Sequence, residues 1–376
     1  MKFSAIDHQM MVKAIQLARL GRFTTSPNPN VGCVIVQSEH VVGAGWHQQA
    51  GSPHAEVHAL KDAGERTIGA TVYVTLEPCS HFGRTPPCAN ALIDAGVDRV
   101  VVAMQDPNPD VHGKGIERLR KAGIQVDVGL LEEEARLLNQ PFLFRMAQQR
   151  PMVTVKLATS LDGKVALSNG KSQWITGLDA RKDVQVHRAM ACGILSTAQT
   201  VIADDAMLTV RSEALPTGLY PQALDVRQPV RVIIDTQHRL TPDLRLFQTE
   251  SPILIVRTRL ENQIDWPHFV EEVLIEEKDG HVDLQALMKT LSARQLNHLW
   301  VESGAALAGA LFASKLVDQF ILYQAPVILG DHAQDMIQLP ELTDLATCLR
   351  FSVQTRQMVG QDLKIEAEPI YVHRDH

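Results

Sequence analysis

Met10, Met11, Ala14, Ile15, Leu17 and Ala18 recur near helical spacing, which predicts an amphipathic first helix starting at Asp7 and stopping at Gly21. A loop dense in Pro and Asn, TSPNPNVG, follows. Two short apolar runs, CVIV and HVVGAGW, then predict a strand pair. Helical spacing resumes from His54 through Leu60, and the β-branched content of ATVYVTLEP marks a strand. Next come a helix from about Pro87 to Ala95, the strand RVVVAM, the helix GKGIERLRKAG ended by Gly123, and the strand IQVDVG. The stretch EEEARLLNQPFLFRMAQQ predicts a helix that Pro141 kinks or splits. Helices alternating with strands predict an α/β layer domain over residues 1–150.

Arg150-Pro151 marks the boundary, and RPMVTVKLATSLDG starts a fresh strand. Downstream, CGILSTAQTVIADD, VRVIIDT, PILIVRT, EVLIEE, HLWVESG and QFILYQAP read as a second set of strands with helices between them. Residues 151–376 are therefore also predicted to be α/β. GLYPQALDVRQP, 218–229, reads as an exposed excursion, and no short-period repeat or low-complexity tract interrupts the pattern.

A length of 376 residues fits two or three domains at roughly 150 residues each. Hydrophobic residues make up 45% and charged ones 21%, enough apolar surface for two cores. The net charge of −7 excludes the basic field of a generic polyanion binder but leaves room for a phosphate held by a few arginines. The five cysteines, Cys33, Cys79, Cys88, Cys192 and Cys348, are odd in number and scattered; no disulfide framework is implied, which fits a reducing compartment. The first twenty or so residues hold no apolar stretch long enough for a secretory or membrane segment, so a cytoplasmic protein is expected.

The chemistry concentrates in GSPHAEVHAL and LEPCSHFGRTPPC. His54 and Glu56 fall at the start of a helix. Cys79 follows Pro78 at the end of a strand, where active-site loops of α/β sheets gather. Cys88 follows Pro86-Pro87 at the start of the next helix, whose positive end favours the thiolate that a metal requires. One imidazole and two thiolates make three ligands, and a hydrolytic zinc leaves the fourth place to water. Zinc brings the pKa of that water down to about 7. Glu56, too close along the chain to be an easy further ligand, is placed to take a proton from the water and return it to a departing amine. H-x-E followed by P-C-x-x-C is the signature of zinc deaminases; HAE and PC fit it, while eight residues, SHFGRTPP, replace the usual two.

Together with MQDPNPDVHGKG, and with KLATSLDGKVA, SQWITG and VIADDAMLTVR further on, these motifs resemble the bifunctional riboflavin-biosynthesis deaminase–reductase family over nearly the whole chain. The longer spacer between the cysteines separates that family from tRNA adenosine and dCMP deaminases. The resemblance implies a cytidine-deaminase-like three-layer αβα domain that deaminates a diamino-hydroxy-pyrimidine bearing a phosphoribosylamino group. It implies that Asn28 and His47 contact the pyrimidine and Arg84 the phosphate. Arg84 stands where some relatives have Lys, which keeps the charge but not the donor geometry. From the residues alone Asn28 reads equally as a turn residue, His47 as a surface residue and Cys33 as core.

In the second half, LWVESGAALAGALFAS reads as a strand ending at Glu302 and a small-residue helix opened by Gly304, where backbone and helix dipole can approach a phosphate or, equally, where helices merely pack closely. The G-x-G-x-x-G fingerprint of a dinucleotide-binding Rossmann domain is absent. The resemblance implies a dihydrofolate-reductase-like α/β domain that uses NADPH to reduce the ribosyl group of the deaminated product to ribityl. It implies cofactor contacts at Ala158, Trp174, Thr200, Asp204, Thr236 and Gly304. Substrate contacts are implied at Lys156, Ser172, Arg188, Leu208, Arg211 and Glu302, with Arg188 and Arg211 offering a bidentate fork to phosphate. Lys156, Asp204 and Glu302 are the candidates for proton handling. The expected partners are a small phosphorylated pyrimidine and a second copy of the chain, without nucleic acid or membrane. Two other readings are a zinc deaminase acting on a nucleic-acid base with an appended binding domain, disfavoured by the acidic balance, and a closed structural zinc module, which would not need Glu56.

Overall fold

The computed structural model describes residues 3–80, 87–108, 111–220, 224–260 and 264–371. The chain divides into two units, Met1–Gln149 and Arg150–His376. In the first, α1 spans Ala5–Ala18. Asp7 does not start this helix: Ser4 is the cap, and Ser4 and Asp7 satisfy each other's backbone N–H groups in a capping box. Nor does the α-helix run to Gly21, because its last turn tightens into a 3-10 turn over Arg19–Gly21.

Strands β1 (Gly32–Gln37), β2 (His40–Trp46), β3 (Thr71–Val74), β4 (Arg99–Val102) and β5 (Gln125–Val128) form one sheet in the order β2-β1-β3-β4-β5. The expected pair β1–β2 is antiparallel, and β3, β4 and β5 run parallel. Alternation along β1 decides which residue meets which layer. Cys33 and Ile35 pack with α2 (Ala55–Ala63), α3 (Cys88–Asp94) and α4 (Lys114–Lys121), while Val34 and Val36 pack with α1 and α5 (Glu132–Leu138). This is a three-layer αβα arrangement. The helix interrupted at Pro141 is two pieces, α5 and α6 (Gln140–Gln148), with Pro141 in the first turn of the second, where its missing N–H is harmless. Gly45 lets α2 lie directly on β2: a Cβ there would come within 2.5 Å of Ala55 O.

The second unit contains β6 (Met152–Thr159), β7 (Lys164–Ala166), α7 (Leu178–Met190), β8 (Gly193–Thr197), α8 (Ala198–Asp204), β9 (Val230–Ile234), β10 (Ile253–Arg257) and β11 (Val270–Leu274). After these come β12 (Glu277–Lys278), β13 (His281–Val282), α9 (Leu284–Ala293), β14 (His298–Glu302), α10 (Ala305–Ala313), β15 (Gln319–Gln324), β16 (Gln334–Asp335), β17 (Arg350–Val359) and β18 (Asp362–Ile370). Nine of these strands make one sheet in the order β11-β10-β9-β8-β14-β6-β15-β18-β17, parallel except for the terminal β18-β17 hairpin; β7 pairs with β16 and β12 with β13. Helices α9 and α10 cover one face, α7 and α8 the other. The stretch read as a strand from Cys192 to Asp205 is half helix. Thr197 accepts the N–H of Thr200 and turns the chain from β8 into α8.

Candidate active sites

His54 is the cap of α2, Glu56 lies in its first turn, Cys88 opens α3, and Cys79 sits on the loop after β3. Cys79 Sγ and Cys88 Sγ lie 3.6 and 3.3 Å from His54 Nδ1, and the three donor atoms all fall within 4.8 Å of one another. Among the described residues no further His, Cys, Asp or Glu joins the group. The Cys88 side chain hydrogen-bonds Cys79 and its backbone N–H donates to Cys79 Sγ, which lowers the Cys79 thiol against the opposing effect of burial. Cys88, the proton donor in that contact and buried beside Glu56, is held up. The hydrogen bond with Cys79 raises His54. The cluster thus holds one thiolate ready and a second sulfur that a divalent cation would deprotonate, a donor set that suits zinc. Burial pushes Glu56, which hydrogen-bonds Cys88, up to about 7.

His47 is buried edge-on to His54, with ring centroids 5.4 Å apart. Its Nδ1–H donates to Pro53 O, so in the neutral ring, which burial favours, Nε2 accepts from Asn28 Nδ2 at 3.1 Å. The loop carrying Asn28 is pinned from afar: Asn30 N–H donates to Asn139 Oδ1 at 2.7 Å, and Asn139 Nδ2 to Asn30 O at 2.9 Å. Arg84 lies outside the described residues.

In the second unit the sequence candidates gather at the carboxyl ends of neighbouring parallel strands, where ligands of open α/β sheets bind. Ala158 is the penultimate residue of β6, Thr200 follows β8, Thr236 follows β9, Glu302 ends β14 and Gly304 follows it. Lys156 is in register with Glu302 on the adjacent strand. Arg188, from α7, grips Glu302 through Nε at 2.6 Å and Nη2 at 2.9 Å, and donates to Thr209 O. Trp300 Nε1–H adds a bond of 2.8 Å to Glu302. Burial opposes charge on Glu302, yet Arg188, Lys156 and Trp300 hold its carboxyl at about 2. Lys156 is lowered by burial, which Glu302 partly offsets. Ser172 Oγ donates to Asp204 at 2.8 Å, and Trp174 is exposed under the guanidinium of Arg181, 4.5 Å from its ring centroid. Leu208 is buried at positive φ, and exposed Arg211 is tied by its backbone N–H to Gln185. Gly304, the cap of α10, faces open space where a Cβ would stand, so a phosphate can approach the backbone there.

The cytidine and deoxycytidylate deaminase zinc-binding region matches residues 4–104, and the RibD C-terminal domain matches residues 151–365. The Escherichia coli (strain K12) riboflavin biosynthesis protein RibD is 51% identical over 360 residues, 95% of this chain and 98% of that one. The chain belongs to the RibD family. The Haemophilus influenzae RibD is 48% identical over 98% of this chain and 99% of its own. Among solved structures, Acinetobacter baumannii RibD (form 1) superposes with a TM-score of 0.87 at 41% identity. A Thermotoga maritima diaminohydroxyphosphoribosylaminopyrimidine deaminase/5-amino-6-(5-phosphoribosylamino)uracil reductase does so with 0.84 at 31%; each match covers 97% of this chain and 99% of the other. As in the RibD family, the fold is α/β, with an amino-terminal deaminase zinc-binding domain and a dihydrofolate-reductase-like carboxyl-terminal domain. No helix among the described residues is long and apolar enough to cross a membrane.

Two residues near these RibD sites escaped the sequence reading. Glu77 is a buried acid two positions before Cys79, visible only as the E of LEPC. Trp300 reads as one more apolar position of a strand, although its indole N–H is spent on Glu302.

Proposed function

We propose that the two units divide the two reactions of a RibD deaminase–reductase in riboflavin biosynthesis. The first deaminates 2,5-diamino-6-(5-phosphoribosylamino)pyrimidin-4(3H)-one, and the second reduces the ribosyl chain of the resulting uracil with NADPH. The convergence of His54, Cys79 and Cys88 beside buried Glu56 carries this reading. Zinc bound by those three supplies the Lewis acidity that makes water a nucleophile at neutral pH. Glu56 takes the proton of the attacking water and delivers it to the departing amine, a role suited to a carboxyl poised near neutrality. Neutral His47 and Asn28 orient the pyrimidine beside the ligands.

In the second unit NADPH supplies the hydride, for which the open approach to Gly304 and exposed Trp174 are a fitting cradle. Glu302 is a committed anion, fixed by Arg188 and Trp300. Lys156, an ammonium that Glu302 helps keep charged and whose hold on its proton burial weakens, is the group able to hand a proton to the opening sugar and be left as the neutral amine.

Replacing Glu56 by Gln tests the assignment. Zinc content should stay at one per chain and ammonia release should fall by about 10²–10⁴-fold, while NADPH oxidation on supplied deaminated product continues. Undiminished ammonia release from the zinc-loaded variant would remove Glu56 from the reaction.

A further inference from the structure

The motif MQDPNPDVHGKG enters neither proposed reaction, yet the backbone N–H groups of Asp106, Gly113 and Gly115 within it, and of Ile116 just after it, converge on one buried side chain. Glu77 Oε1 accepts the N–H groups of Gly115 at 2.9 Å and Ile116 at 3.2 Å; Oε2 accepts those of Gly113 at 2.9 Å and Asp106 at 3.2 Å. Four backbone donors on one carboxylate, at a position only 4% exposed, is a full complement for two oxygens.

The link from that anchor to a metal ligand is short. Glu77 is followed by Pro78, whose φ is fixed by its ring, and then by Cys79. The same loop touches the link a second time: a Cβ on Gly115 would lie 1.9 Å from Pro78 O, so the α4 backbone rests directly against the peptide that carries Cys79. Upstream, Glu77 N–H donates to Met104 O at 3.0 Å; downstream, Cys79 O accepts Ala89 N–H at 3.1 Å. Cys79 is thus held between the start of α3 on one side and the anchored Glu77-Pro78 link on the other.

We propose that Glu77, clasped by the backbone N–H groups of Asp106, Gly113, Gly115 and Ile116, is a positioning residue that fixes the Cys79 sulfur for zinc. The proposal rests on His54, Cys79 and Cys88 being the zinc ligands. A Gln at position 77 keeps one oxygen but turns an NH2 toward two N–H groups, leaving two buried donors without an acceptor. An Ala at position 115 instead pushes on Pro78 from the other side, with no change of charge.

Zinc release from the native full-length protein to 4-(2-pyridylazo)resorcinol reads the effect directly, well below the unfolding temperature. In both Glu77→Gln and Gly115→Ala, release should be about 10–100-fold faster, the size expected when a support behind a metal ligand is lost. The cobalt-substituted variants should show an altered thiolate-to-cobalt charge-transfer band, while NADPH oxidation on supplied deaminated product persists. Release within twofold of wild type in either folded variant overturns the proposal, even if that variant melts earlier. If Glu77→Gln does not fold, Gly115→Ala decides by the same criterion. A wild-type protein that holds no zinc would instead sink the ligand assignment itself, a result that zinc analysis separates from the first.

Discussion

Replacing Glu302 by Gln is the sharpest perturbation of the reductase unit, because three groups are arranged around that one charge. Arg188 and Glu302 side chains are 11% and 15% exposed and joined by two short bonds. Both partners agree in direction: after the cost of burial, Arg188 is raised and Glu302 lowered. The fall of Glu302 from 4.5 to about 2 corresponds to about 3 kcal/mol of stability at neutral pH. Removing one member of a buried pair costs about 3–5 kcal/mol, but the two members are not equivalent. Glu302→Gln leaves Arg188 facing Lys156, two cations with their shared anion gone; Arg188→Met leaves Glu302 still balanced by Lys156. Glu302→Gln should therefore be the more damaging, and the double variant should lose much less than the two single losses together. Hydrogen exchange of peptides from β15, on the far side of β6 from β14, reads this in the full chain at pH 7. Glu302 has a depressed pKa, so its contribution is fully present above 4.5 and lost as pH falls through about 2. The gap in urea-unfolding stability between wild type and Glu302→Gln should hold above 4.5 and close below it. Losses that add to within about 0.5 kcal/mol, or an Arg188→Met worse than Glu302→Gln, would refute the three-charge reasoning.

Lys156→Met should lower the reductase turnover by about 10²–10⁴-fold with NADPH affinity unchanged by fluorescence titration; turnover within a few-fold of wild type would take the proton-transfer role away from it. Asn28→Ala removes one hydrogen bond at the edge of the zinc cluster and should raise the deaminase KM by about tenfold, about 1.4 kcal/mol. Steady-state ammonia release checks it, and an unchanged KM at full zinc content would mean that Asn28 only braces His47.

The alternation of elements in both units was readable because their strands are buried and bounded by turns. Two stretches misled for physical reasons. Val201 and Ile202 give TAQTVIAD a β-branched look, but Thr197 at the end of β8 offers its hydroxyl to the amide of Thr200 and starts a helix instead. The hairpin β17-β18 went unread because β17 is exposed on nearly every side chain. An edge strand held by its ladder to β18 rather than by a buried face carries no period-two apolar signal. The turn at Gly360, with φ of 64°, was the one local cue.

At the sites the same distinction operates between atoms that react and atoms that hold. A zinc ligand is drawn from His, Cys, Asp or Glu and the proposed proton shuttle needs a carboxyl, so His54, Glu56, Cys79 and Cys88 stand out by residue type and by their position at helix starts and strand ends. Glu77 does its work by accepting backbone N–H groups, which every residue except proline possesses, so nothing in the sequence of residues 106–116 names its partner. Trp300 is hidden in the opposite way: its ring fits the apolar face of β14 and stacks on His187 at 4.7 Å, and that burial masks the N–H spent on Glu302. Arg188 belongs to both kinds. Its residue type alone suits a phosphate, but in place it is already the counter-charge of Glu302, with Nε and Nη2 on the carboxylate and Nη1 on a carbonyl. Any phosphate it meets must share a guanidinium whose first obligation is to the fold. The proposed substrate edge of the reductase is therefore built on an ion pair that folding alone assembles, so the energy of holding it is spent in folding rather than in each turnover.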